Sequence, residues 1–161
     1  MTGDHHLAYT APHGYHQLSC TVTSSRIQRH NHRIQILHRH LTLTKVYDGQ
    51  ITNNLHTSAT TNKQVDLQLD STTFHPLSVS IDATISVAFL PTNLKAIETS
   101  GTSEALFDMR ANEKTLKHGA DCAALHRAFL PFVSDTGGGI GPCSFATWLR
   151  QVYAANGRYA K

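Results

Sequence analysis

Cysteine is scarce in this 161-residue chain. Cys20, Cys122 and Cys143 are odd in number and widely spaced, which excludes a disulfide framework and leaves free buried thiols as the expectation. Charge is scarce as well: Asp, Glu, Lys and Arg make up only 16% of the residues, so Thr, Ser, Asn and His must supply much of the polar surface. No apolar run reaches the roughly 18 residues that mark a membrane span. Met1–Thr10 lacks a basic-then-apolar leader pattern, so a cytosolic product is expected. Acidic residues are nearly missing from the first two fifths of the chain. Residues 1–63 hold six Lys and Arg against two acids, together with nine of the twelve histidines. That asymmetry points to a polyanionic partner.

Familiar site motifs are missing too. The run Thr136–Pro142 is rich in glycine but has neither the Lys-Ser/Thr of a phosphate loop nor G-x-G-x-x-G spacing, and it reads as a hinge between helices. There is no paired-aromatic RNA-binding motif and no zinc knuckle. Cys122 with His118 or His126 has i, i+4 spacing, which is read as ordinary helical spacing and not as a nucleophile and its base. His30 with His32 and His38 with His40 have a spacing that a metal would accept, but their arginine neighbours and the lack of a nearby carboxylate argue against one. No cofactor is expected.

What is present is pattern. From Leu77 to Phe89 every odd position is apolar, and all even positions but Ala88 are small and polar. This alternation predicts a half-buried strand of about 40 Å. Residues 1–15 read as an N-terminal arm and 16–161 as one domain. Strands are expected over about 16–117. They include His16–Thr23, Gln64–Asp70 and a pair of strands with a slip near Ile36–Leu37 inside Arg26–Val46. Gln50–Asn62 reads as a loop or edge strand and Thr92–Ser103 as a polar connection. Glu104–Lys117 is read as a strand from Phe107, Met109 and Ala111, although its residues favour helix. Helices are expected over 121–134, from Leu125, Ala128, Phe129, Phe132 and Val133, and over 144–156, with Ser144 as N-cap. The fold class is α+β, an antiparallel β-sheet meander followed by two C-terminal helices covering one sheet face.

On strands, the basic residues of 26–46, interleaved with Thr, Asn and His, would form a flat face of positive potential suited to phosphates. In this order of elements, and in His118–Asp135 with its Ala/Leu/Phe face, the chain resembles the coat proteins of single-stranded RNA bacteriophages. Two departures from that pattern are the polar insert Thr92–Ser103 and the aspartates on the Gln64–Asp70 polar face. The resemblance implies a structural, non-enzymatic protein that forms a homodimer, each partner's helices covering the other's sheet. It further implies assembly into an icosahedral virion in the bacterial cytoplasm, with no membrane partner. Single-stranded RNA, genomic or a repressor hairpin, would lie on Arg26, Arg29, His38, Arg39, His40, Thr42, Thr44, Lys45, Ser80 and Thr84. The alternative from the residues is a small His-rich, metal-binding, cupin-like β-barrel enzyme.

Overall fold

The computed structural model describes residues 25–43, 47, 49–56, 63–70, 78–87, 91–102, 104–141 and 144–155. In chain order these form α1 (Ser25–Leu43), β1 (Ile51–His56), β2 (Gln64–Leu69), β3 (Ser78–Ser86), α2 (Pro91–Ser100), α3 (Glu104–Ala124), β4 (Arg127–Asp135) and α4 (Ser144–Ala155). The fold is α+β. The strands make one sheet in the order β1-β2-β3-β4, antiparallel except for the β3–β4 pair, which is parallel. The sheet is therefore mixed and not a meander. The two helices between β3 and β4 form the crossover that a parallel pair requires.

The odd face of β3 behaves as its alternation predicts. Val79, Ile81 and Ala83 are buried beside Leu67 and Leu69 of β2 and Phe132 of β4. Leu37 and Leu41 of α1 and Phe145, Trp148 and Val152 of α4 complete this core. Rings close it, with Phe132 and Phe145 centroids 4.7 Å apart and Phe145 and Trp148 5.7 Å apart. β3 is described over nine residues, Ser78–Ser86, each of them paired with β4.

Several sequence expectations are corrected. Arg26–Val46 is not a pair of strands, since its described part lies in helix α1. The apparent slip of parity at Ile36–Leu37 is helical period: Ile34, Leu37 and Leu41 recur at i, i+3, i+7 and face the core. Thr92–Ser103 is mostly helix α2, with Pro91 at its first position and Gly101 at φ +72 just past its end. Glu104–Lys117 belongs to helix α3. The helix expected over 121–134 is instead the end of α3, a turn at Leu125–His126 and strand β4. Pro131 fits there because β4 pairs only with β3 among the described strands, so no second neighbour needs its missing N–H. The second expected helix is present as α4. The first expected strand, His16–Thr23, lies outside the described residues.

The glycine run is not a hinge between helices but a tight turn leaving β4. The Gly139 N–H donates to the Asp135 carboxylate at 2.7 Å, and Ser134 bridges to Ile140. A Cβ at Gly141 would lie 2.5 Å from Phe107 Cβ, so close packing against α3 demands glycine there.

Helices cover both sheet faces, not one. α1 and α4 lie on the apolar face. α3 lies on the other, where Ser80, Asp82 and Ser86 of β3 are buried beneath it. α2 packs on α3, held by Arg110, which donates to Asn93 at 2.9 Å, while Asn93 donates to the Val87 carbonyl at 2.7 Å.

Candidate functional site

The polar layer between α3 and the sheet is the chemically distinctive part of the molecule. β2 and β3 pair through Leu67–Ile81, Gln68–Ser80 and Leu69–Val79, and the pairing stops there. The next residues toward the open end are Asp66 and Asp82, on the same face. At this point the Asp66 carboxylate takes over the role of a strand neighbour, accepting the Ala83 N–H at 2.6 Å. The two aspartyl side chains are close enough to hydrogen-bond each other.

Helix α3 delivers the partners. Its i, i+4 stripe Arg110, Lys114, His118 and Cys122 runs along the side facing β3. Lys114 Nζ lies 2.8 Å from Asp82 Oδ2, and His118 Nε2 lies 3.0 Å from the same oxygen, without the alignment of a hydrogen bond. His118 is fully buried and its ring stacks obliquely on Phe129 at 5.7 Å. From the other side, His30 of α1 reaches Asp66 Oδ2 at 3.2 Å. Lys63, just before β2, pairs with Asp121 at 3.0 Å on the rim.

These contacts split the two carboxyls. Burial outweighs the Lys114 ammonium at Asp82 and pushes its pKa up to about 6. Asp66 is held below the usual carboxylate range: burial opposes ionisation, but hydrogen bonds from His30 and the Ala83 N–H outweigh it. Contact with the Asp66 carboxylate in turn raises His30. His118 is pushed down to about 4 by burial and by Lys117, Lys114 and Lys63, so its imidazole is neutral near pH 7. Burial also raises the Cys122 thiol, which lies against Ser80.

These shifts predict a pH profile for the protein in EDTA. Asp82, whose pKa is raised on folding, favours the folded state at low pH, and this contribution is lost as pH rises through about 6. His118, depressed on folding, acts oppositely: its contribution is present above 6.5 and lost as pH falls toward about 4. The two offset each other over that interval. In Asp82→Asn, His118 acts unopposed, so thermal stability should rise more steeply from pH 4.5 to 6.5 than in the wild type. Parallel melting profiles for the two proteins would refute the split.

The residues expected to bind RNA are placed differently. Arg26, Arg29, His38, Arg39, His40 and Thr42 all lie on α1, where Arg29 and His38 are half-buried and Arg39, His40 and Thr42 exposed. His40 contacts the Tyr153 hydroxyl of α4, and Thr42 donates to the His38 carbonyl at 2.9 Å. Thr44 and Lys45 lie outside the described residues. Ser80 is buried beneath α3 and Thr84 is half-buried on β3, so neither shares a surface with the α1 set. The missed residues are Asp66, Asp82, Lys114 and His118. A signal was available: each of two alternating strands carries an aspartate among its polar positions.

Comparison with known protein families, with curated proteins and with solved structures finds no match to this chain. Among the described residues no helix is long and apolar enough to cross a membrane.

Proposed function

We propose that the chain is a divalent-cation-dependent phosphodiesterase acting on nucleic acid. The observation that carries this reading is the Asp66–Asp82 pair at the point where β2 and β3 part, with the Lys114 ammonium 2.8 Å from Asp82. Two carboxylates and no thiolate suit a hard, oxygen-seeking cation. Among the described residues no three His, Cys, Asp or Glu side chains converge into a protein-only cage. That suits Mg²⁺ or Mn²⁺, which keeps water ligands and takes substrate phosphate oxygens beside one or two carboxylates. The residues fit in another respect. Asp82 is under-neutralised where it lies, its burial outweighing Lys114, and His118 beside it is neutral.

When bound, such an ion supplies Lewis-acid polarisation of the phosphate and a more acidic water. The chain's own groups do the rest. Asp66 and Asp82 would hold the cation, and His30 and the Ala83 N–H lock the Asp66 carboxylate in place. Lys114 offsets negative charge on the non-bridging phosphate oxygens as a water oxygen adds to phosphorus, giving up its proton to solvent, and the bond to the departing sugar oxygen breaks, that oxygen taking up a proton from solvent. Lys63 and Lys114 are matched by Asp121 and Asp82, and the exposed Lys117 beside them favours a polyanion.

The resemblance to coat proteins implies RNA on the polar face of the sheet. Here α3 covers that face, and only the basic surface of α1 carries over from that reading.

The test is incubation with supercoiled plasmid and with labelled single-stranded DNA and RNA, in Mg²⁺, Mn²⁺ or EDTA. Cleavage that needs the cation and returns when it is restored is the expected result. Cleavage persisting in EDTA, or none with any cation, overturns the reading.

A further inference from the structure

Helix α1 has no role in the chemistry beyond His30, yet its composition is unlike that of any other element. Nineteen residues long, it contains no acid, and it carries four arginines and four histidines. Its core side is fixed by Leu37 and Leu41. On the opposite side, Gln28, His32, Gln35, Arg39 and Thr42 recur at i+4, i+3, i+4, i+3 and are exposed. One straight stripe of amide, imidazole and guanidinium groups thus runs along about 21 Å of helix. Ile36, flanking it, is 51% exposed, an apolar side chain left in water beside hydrogen-bonding ones.

We infer that α1 is a recognition helix that lies in the major groove of duplex DNA. The inference deepens the proposed function, on which it rests for the nature of the substrate. Charge complementarity selects a polyanion, since no carboxylate on the helix opposes it. The side-chain set selects a groove with readable base edges: Arg pairs with guanine, Gln with adenine, and an apolar side chain meets the thymine methyl. The major groove of B-form DNA is wide enough to admit a helix, whereas that of A-form RNA is too deep and narrow for side chains to read. His30, on the core side of the same helix, ties α1 to Asp66, so the stripe lies across the helix from the two aspartates.

Fluorescence anisotropy in EDTA, where no cleavage occurs, tests binding alone. The probe is a labelled DNA duplex of roughly 20 base pairs, compared with its separate strands and with an RNA duplex of the same sequence. The wild type should prefer duplex DNA. The exposed triple variant His32→Ala/Gln35→Ala/Arg39→Ala should bind it at least about 10-fold more weakly, with a salt slope shallower by about one. Lys95→Ala, exposed on α2, should bind like the wild type. Equal affinity for RNA duplex or single strands, or a triple variant of wild-type affinity with wild-type circular dichroism, overturns the inference. A protein that binds duplex DNA through α1 but cuts nothing retains the inference and loses the phosphodiesterase reading. One that cuts DNA with the triple variant unimpaired in binding loses only the inference.

Discussion

Asp82→Asn should lower Mg²⁺-dependent cleavage by about 10³-fold or more while the protein stays folded. The substitution keeps shape and removes the anionic oxygen that Lys114 and His118 both approach. In EDTA at pH 8 its melting temperature should equal or exceed that of the wild type. The sign follows from burial: above pH about 6 the folded chain must hold a desolvated Asp82 carboxylate, and burial outweighs the Lys114 contact that favours it. Loss of activity together with undiminished stability marks a charge kept for chemistry and not for folding. Lys114→Met should reduce cleavage by a further-distinguishable route, about 10²–10³-fold at saturating cation, because it removes charge stabilisation without removing a ligand oxygen. A drop in melting temperature with cleavage intact would assign Asp82 to structure and end the enzymatic reading.

The opposite face of the same strand supplies the second large effect. Ile81→Asp should abolish cooperative folding, at a cost above about 4 kcal/mol. Ile81 is fully buried, pairs with Leu67 on one side and Leu130 on the other, and faces the layer of α1 and α4. Among the described residues, those that form this core cluster are aliphatic and aromatic, so a carboxylate there would be desolvated without a compensating charge. One residue earlier, Ser80→Ala should change stability by less than about 1 kcal/mol, because the buried Ser80 hydroxyl faces the polar layer and makes no hydrogen bond among the described residues that its removal would break. Urea denaturation followed by circular dichroism measures both. A stable Ile81→Asp protein would mean that the two faces of β3 had been exchanged.

The alternation of Leu77–Phe89 was legible because one face of β3 packs on apolar side chains alone. Helix α4 was legible for the same reason, through Phe145, Trp148 and Val152. Helix α3 was hidden because, beyond Leu106 and Phe107 in its first turn, the face it buries is polar. Lys114, His118 and Cys122 meet Asp82 and Ser80, so no apolar stripe announces the helix. β4 was misread since a strand with both faces covered is apolar throughout, and such a run also satisfies i, i+3, i+4 spacing. The site itself could not be read from spacing. Asp66, Asp82 and Lys114 are far apart in the chain, and only the divergence of β2 from β3 and the crossover return bring them together.

That return has a consequence for how the molecule comes into being. β1, β2 and β3 are joined by short segments and can zip up as neighbours. β4 can join β3 only by closing the long loop that holds α2 and α3, an entropic toll set against the parallel ladder. Asp82 waits on the strand while Lys114 and His118 ride in on the closing segment. A chain still emerging from the ribosome therefore carries its carboxylates early and its ammonium late.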